Sequence, residues 1–512
     1  MGKKNPGHIF LKLAPGNTVY RNKLSLVKKQ SIVYPWKVRI PLGLSYDDVL
    51  LIPQKTDISS RSLVDTASFL TKNIKINIPI VSANMDTVTE SEMAITMAMA
   101  GGVGIIHRFL TIEEQVAEVE RVKRHDGFMV ESPRTISPTD SLKIVLELIE
   151  RFGSTGFVVV DEKNKILGIL SKRDFLYEKN LSTLVSKLMT PASKLITAKL
   201  KTTREEARNI FQKHKIEKLP VVDRNGFLMG LITSKSLFNE EKYPISSRDK
   251  RGRLLVGAAV GVKDQDKERA KELVAKGADI LVVDIAHGHA QSVIEMTRFL
   301  KKNFSVEIVA GNVATPEGVR DLARAGADGV KVGIGPGAVC TTRIVAGSGY
   351  PQFSAIWECK KEAKKQKVTI IADGGVKQPG DVVKAIGGGA DTVMVGTLFA
   401  GTDESPGTVF VRNGKKFKVI RGMASLGANM SRKIKDGKVL DELKEYVAEG
   451  VEAMVPYRGK VEEVLNQLVG GLRSGMSYSG AKNIVEFQKK AKFVQVTTAG
   501  IRESGAHDVE II

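Results

Sequence analysis

Residues 306–333 read VEIVAGNVATPEGVRDLARAGADGVKVG. An apolar run, VEIVAG (306–311), is followed by the helix-like segment PEGVRDLARAGA, which stops at Gly-Ala before a second apolar run, DGVKVG (328–333). A helix that ends on glycine and leads straight into a buried strand is one step of a strand–helix–strand crossover. The same alternation extends outward. IPIVSA (78–83), GVGII (102–106), LLVGAAV (254–260), DILVVDIA (279–286), VTIIAD (368–373) and DTVMVG (391–396) also read as buried parallel strands, and KERAKELVAKGA separates two of them. Eight such runs predict an α/β fold, a (β/α)8 TIM barrel, with a doubly wound sheet as the alternative.

The chain's 512 residues allow two to four domains. Its 42% hydrophobic and 26% charged content is ordinary for a globular protein. No apolar run is long enough to span a bilayer, and the start lacks the apolar core of a signal peptide. Two cysteines, Cys340 and Cys359, make no disulfide framework, which fits a reducing, cytoplasmic setting. The net charge of +21 is spread over lysines mixed with glutamates, the pattern of solvated helix faces, so specific nucleic-acid binding is not expected. Residues 1–40 read as a basic, partly disordered arm, followed by a first barrel part over 41–125.

About 150 residues separate the second and third runs, far beyond an ordinary loop. Within them GFVVVDEKNKILGILSKRD (156–174) matches KLPVVDRNGFLMGLITSKS (218–236) at a spacing of 62, and each copy follows an amphipathic helix. A tandem repeat predicts two similar units packed together over 126–242, with the barrel resuming over 243–512. The repeat resembles a pair of CBS domains, a module that often binds adenine or guanine nucleotides. The alternative is a structural insert. That resemblance implies a ribose-holding aspartate near the end of each copy; Asp174 fits, whereas Ser236 stands at the second position.

In such a barrel the chemistry lies at the C-terminal strand ends. Asp284, Asn312, Asp373-Gly374-Gly375 and Gly396-Thr397 fall there, and Cys340 lies on the long loop after the sixth run. The two glycine turns suit phosphate, because a backbone without a Cβ lets its N–H groups approach an anion. A thiol on the glycine-rich loop GIGPG-AVC is poorly placed for packing and well placed for a nucleophile. Thr342 can exchange a proton beside it, whereas Cys359 falls in a helical pattern and is expected to be buried. A phosphate-sugar lyase or isomerase would explain the turns but leave the cysteine idle.

GIGPGAVCTTRIVAGSGYPQ (333–352) closely resembles the catalytic loop of the IMP dehydrogenase / GMP reductase family. GLSYDDVLLIP, ANMDTVTESEMAITMA, AGNVAT, IADGG, RGMASLGA and GGLRSGMSYSGA match in order from about residue 43 onward. The resemblance implies a Cys340 thiolate that attacks purine C2, with Thr342 and Glu449 as further catalytic groups. It assigns Asp373 to the ribose, Gly375, Gly396 and Thr397 to phosphate, and Met85, Gly422, Met423 and Glu449 to the rest of the substrate. Asp284, Asn312, Gly333 and Gly335 would lie at the cofactor, NAD or alternatively NADPH. Gly335, Gly337 and Cys340 would bind a potassium ion completed by Glu503, Ser504 and Gly505 of a neighbouring subunit in a homotetramer.

Two activities follow from this resemblance: NAD-dependent oxidation of IMP to XMP, placed first, and NADPH-dependent reduction of GMP to IMP and ammonia. A nucleotide-sensing protein working through the CBS pair is a third reading. Three departures bear on the choice. Ala338 stands where the family usually has serine, Ile420 where the dehydrogenases commonly have tyrosine, and the flap, 426–450, holds no Arg-Tyr pair, although Arg432 lies near its start.

Overall fold

The computed structural model describes residues 31–33, 39–153, 156–435 and 446–506. It divides into two compact units, Met1–Leu42 and Gly43–Ile512. In the first, Ser31–Val33 pairs antiparallel with Arg39–Pro41. The basic stretch 1–30 lies outside the described residues.

The second unit holds a closed eight-stranded parallel barrel, which excludes the doubly wound sheet. Its strands are β1 (Ile80–Ser82), β2 (Val103–Ile106), β3 (Val256–Val260), β4 (Ile280–Asp284), β5 (Glu307–Val313), β6 (Gly329–Val332), β7 (Thr369–Asp373) and β8 (Thr392–Val395). They pair in chain order and close through β1 and β2. The strands are nearly all apolar because both faces are covered. Side chains alternate faces along a strand. Ile280, Val282, Val309, Ile371 and Met394 accordingly pack in the barrel's interior, while Leu281, Val283, Ile308, Ile370 and Val393 pack in the outer layer.

That outer layer is built from α1 (Ser91–Met99), α2 (Ile112–His125), α3 (Asp264–Ala275), α4 (Gln291–Asn303), α5 (Pro316–Ala325), α6 (Gln352–Gln366) and α7 (Pro379–Gly388). Helix α5 shows how sequence fixes a boundary. Thr315 Oγ1 accepts the Gly318 N–H at 3.3 Å, and Gly326 ends the helix at φ +108°, which a side chain would resist. Further on, α8 (Leu426–Lys435) starts the flap, α9 (Val461–Tyr478) packs on α7, and α10 (Thr498–Glu503) ends the described chain. No helix among the described residues is long and apolar enough to cross a membrane.

The segment between α2 and β3 contains the repeat. Helix Leu142–Phe152 precedes hairpin 156–171, and helix Arg204–His214 precedes hairpin 218–233. Gly168 pairs with Val159 and Gly230 with Val221, the same register one repeat apart. Ile166 N–H donates to Gly226 O at 3.1 Å and Leu228 N–H to Asn164 O at 3.0 Å, so each copy repeats its partner's bond. Val158, Ile166, Leu228 and Leu231 form an apolar cluster between the hairpins. Neither copy could bury this face alone.

Candidate active site

The glycine-rich loop after β6 lies against the turn after β7. A Cβ on Gly333 would stand 2.0 Å from the Asp373 carbonyl, and one on Gly374 would stand 2.8 Å from Pro336. Glycine is required here by close approach. Gln352, at the start of α6, fastens the junction by donating to the carbonyls of Val332 at 2.8 Å and Asp373 at 3.2 Å.

Cys340 stands half-buried on this loop, less exposed than the glycines around it implied. Its Sγ lies 3.3 Å from Thr342 Oγ1, so the hydroxyl expected to assist the thiol is within reach. The loop is pinned from the other side by the flap's ends. Thr341 N–H donates to Glu449 O at 2.8 Å, Glu449 N–H to Ala424 O at 3.1 Å, and Val451 N–H to Val339 O at 3.0 Å. Gly422 donates to Val451 O at 2.9 Å, and a Cβ there would meet the Val339 carbonyl at 2.7 Å. Gly422 and Glu449 thus carry the loop through their backbones. Met423 and the Glu449 side chain are half-buried beside them.

The remaining strand ends complete the ring. Gly396 and Thr397 open the one-turn helix Thr397–Ala400, and a Cβ on Gly396 would lie 3.1 Å from Met85 Sδ. Gly375, at φ +84°, lies between Tyr46 and Pro336. Asn312 Nδ2 donates to Asp373 Oδ2 and to Gly333 O, each at 2.9 Å. Its Oδ1 is buried without a hydrogen-bond partner among the described residues.

Asp284 and Asp373 are joined by a residue that the sequence reading passed over as part of a strand. Lys331 Nζ bonds to Asp284 Oδ1 and, at 3.1 Å, to Asp373 Oδ2. Burial alone would raise the Asp284 carboxyl; the Lys331 ammonium, aided by Arg108 and Asn84, holds it below the usual range instead. Burial alone would lower the Lys331 ammonium, but the two carboxylates raise it. The available signal was a lysine inside a wholly buried strand, which needs a charged partner.

Arg432, on α8, stands over the Phe109 ring at 5.5 Å, with Arg108 at 5.5 Å from the same ring. Tyr446 donates to Ala424 O at 2.7 Å. Flap residues 436–445 lie outside the described residues. Gly335 turns at φ +85°, while the Gly337 carbonyl accepts the Cys340 N–H at 3.1 Å. Glu503, Ser504 and Gly505 are exposed at the end of α10, a separate element. In the insert, Asp174 accepts from Ser171 N–H at 2.6 Å and lines a small cavity with Arg173, Lys194 and Lys218. Ser236, its equivalent, donates to Thr233 O at 2.8 Å.

The model of the IMP dehydrogenase / GMP reductase domain matches residues 43–507. The chain is 52% identical to inosine-5'-monophosphate dehydrogenase of Nitrosopumilus maritimus, across 91% of this chain and 98% of that one. It is 49% identical to GMP reductase of Leishmania donovani, across 92% and 98%. A solved structure of Trypanosoma brucei GMP reductase, in complex with guanosine 5'-monophosphate, superposes with a TM-score of 0.87 at 47% identity, covering 92% of this chain and 99% of that one. The chain therefore belongs to the IMP dehydrogenase / GMP reductase family, whose members are oxidoreductases.

Proposed function

We propose that the chain catalyses purine nucleotide redox chemistry through a covalent bond between Cys340 and the purine, in the direction of IMP oxidation to XMP. The observation that carries this reading is the Cys340 thiol 3.3 Å from Thr342 Oγ1, on a loop that backs onto the Asp373 turn. Asp373 accepts hydrogen bonds from the ribose. The Gly375 and Gly396–Thr397 turns take the phosphate, and Met85 and Met423 flank the base. Cys340 bonds to C2, and the two electrons of the C2–H bond leave as hydride. A bound nicotinamide dinucleotide, NAD in this direction, supplies the hydride acceptor, with Asp284, Asn312, Gly333 and Gly335 beside it. The orphaned Asn312 Oδ1 suits such a hydroxyl-rich ligand. Water then adds at C2 as the C–S bond breaks, which needs a base. Thr342 and Glu449, on segments joined by the Thr341–Glu449 backbone hydrogen bond, are the further catalytic groups of this reading.

The carbonyls of Gly335, Gly337 and Cys340 offer hard oxygen donors suited to potassium. We assign Glu503, Ser504 and Gly505 of a neighbouring subunit to complete that shell; this needs an oligomer, and the family resemblance makes it a homotetramer. The repeat serves as a CBS pair over 126–242, regulatory rather than catalytic. Another Trypanosoma brucei GMP reductase structure is a complex with guanosine 5'-triphosphate. By that likeness the Asp174 copy takes a nucleotide, and Ser236 weakens the second copy.

The second reading, NADPH-dependent reduction of GMP, is favoured by the flap sequence, which has no Arg-Tyr and would not miss it in a reaction without hydrolysis. Absorbance of the reduced nicotinamide decides. A rise with IMP, NAD and potassium supports the dehydrogenase. A fall with GMP and NADPH, accompanied by released ammonia, supports the reductase. Neither change would overturn both.

A further inference from the structure

We infer that Lys331 is a positioning residue that fastens the substrate-side carboxylate, Asp373, to the cofactor-side carboxylate, Asp284, so that both nucleotides are gripped from one rigid strut. This rests on the proposed reading that Asp373 holds the ribose of the purine nucleotide.

The strut is written into the pleat. Val330 and Val332 pack in the outer layer, so Lys331 between them points into the barrel. Asp284 and Asp373 continue the inward sets of Ile280 and Val282 on β4 and of Ile371 on β7. Asp284 is in register with Gly311, and Gly311 with Lys331, which brings these two charges to one level; Lys331 is in register with Ile371, so Asp373 stands two residues further along β7, on the same inward face and within reach of the long side chain. Gly311 makes the room: a Cβ there would stand 2.6 Å from Lys331 Cβ.

The bonding is directional. Lys331 Nζ and Asn312 Nδ2 both reach Asp373 Oδ2, at 3.1 Å and 2.9 Å. Asp373 Oδ1 takes no hydrogen bond from a described residue, so two donors fix the carboxylate and leave one oxygen for a hydroxyl. A second buried lysine shows what a purely architectural role looks like. Lys418 donates to the backbone carbonyls of Thr402 at 2.9 Å and Ser405 at 2.6 Å, within one loop region. Lys331 instead joins side chains of two non-adjacent strands, β4 and β7, nine positions before the nucleophile on the same strand–loop unit.

The test compares Asp284→Asn with Lys331→Met/Asp284→Asn. The double variant leaves the buried triad with the same net charge as the wild type, so it avoids the surplus that could unfold Lys331→Met alone. Calorimetric titration with IMP and with GMP is the readout, alongside thermal unfolding and the rate of Cys340 alkylation. We expect Asp284→Asn, which weakens one end of the strut, to lower nucleotide affinity several-fold, and the double variant, which removes both ends, to lose roughly tenfold or more beyond it, the worth of a charged hydrogen bond. Cys340 alkylation should stay within about twofold, because the loop's own backbone bonds remain. For whichever reaction turns over, Lys331→Met/Asp284→Asn compared with Asp284→Asn should raise the KM of both nucleotide and dinucleotide more than it lowers kcat. Equal affinity of the double variant and Asp284→Asn would overturn the inference while leaving the site assignment intact. A wild-type protein that bound neither IMP nor GMP would overturn the assignment and the inference together.

Discussion

Cys340 and Cys359 stand nineteen positions apart and share nothing but their chemistry. Cys340 lies half-buried on the loop after β6, beside a threonine hydroxyl, and the start of that loop packs against the turn after β7. Cys359 is fully buried in α6, where the desolvated thiol, with Glu358 and Glu317 nearby, is pushed up to about 12. One thiol is partly open and is the nucleophile of the proposed reaction; the other is packed away. The difference comes from the two segments: a glycine-rich loop that leaves the Cys340 side chain partly open, and an amphipathic helix whose inner face must be buried.

The sharpest way to break this contrast is to remove each sulfur in turn. Cys340→Ala should lower kcat by at least about a thousandfold, as loss of a covalent nucleophile does. Cys359→Ala should leave kcat within about twofold, because its thiol touches no reacting group. Steady-state rates of whichever nucleotide reaction the protein catalyses measure both. Comparable losses would mean that Cys340 is not the nucleophile.

Next in size is Asp373→Asn. It keeps the shape but removes the charge held by Lys331 which, in the proposed function, faces the ribose, so the nucleotide KM should rise roughly tenfold or more. An unchanged KM would detach the β7 turn from the Cys340 loop functionally, although the two touch. A smaller effect sharpens the contrast without turnover. At neutral pH, iodoacetamide should alkylate Cys340 alone, and saturating nucleotide should slow it several-fold; Cys359 should react only after unfolding. Peptide mass mapping distinguishes the two sulfurs.

The contrast was legible in sequence because local rules govern both segments. Apolar runs marked all eight barrel strands, and Gly-Ala helix stops marked the ends of two of the helices between them. The repeat at a spacing of 62 announced two packed hairpins. Lys331 was not legible as a site residue, since its meaning depends on carboxylates 47 and 42 positions away that only barrel closure brings within its reach. Gly311 was equally opaque: its lack of a side chain serves Lys331 on the neighbouring strand rather than any turn of its own. Gly422 and Glu449 were singled out for contact with substrate, and what the backbone also shows is their service as anchors of the cysteine loop.

The smallest expected effect concerns Cys359 and pH. In the unfolded chain its thiol ionises near the ordinary cysteine value, whereas in α6 burial holds it neutral until about 12. The folded state therefore keeps a proton that the unfolded state loses across this window. Stability drawn from the thiol is complete below the unfolded value and falls as pH rises toward the folded one. Cys359→Ala removes the titration, at a cost of about 1–2 kcal/mol from the lost packing near neutrality. Between pH 8.5 and 10.5 the gap between wild type and variant should shrink by about 1–2 kcal/mol, since each unit of pKa difference is worth about 1.4 kcal/mol. Other tyrosines and lysines titrate there too, but they are common to both proteins and cancel in the difference. Urea unfolding at several pH values measures it. A gap that stayed constant would mean that solvent reaches Cys359 in the folded protein, and the two cysteines would then differ in neighbours rather than in burial.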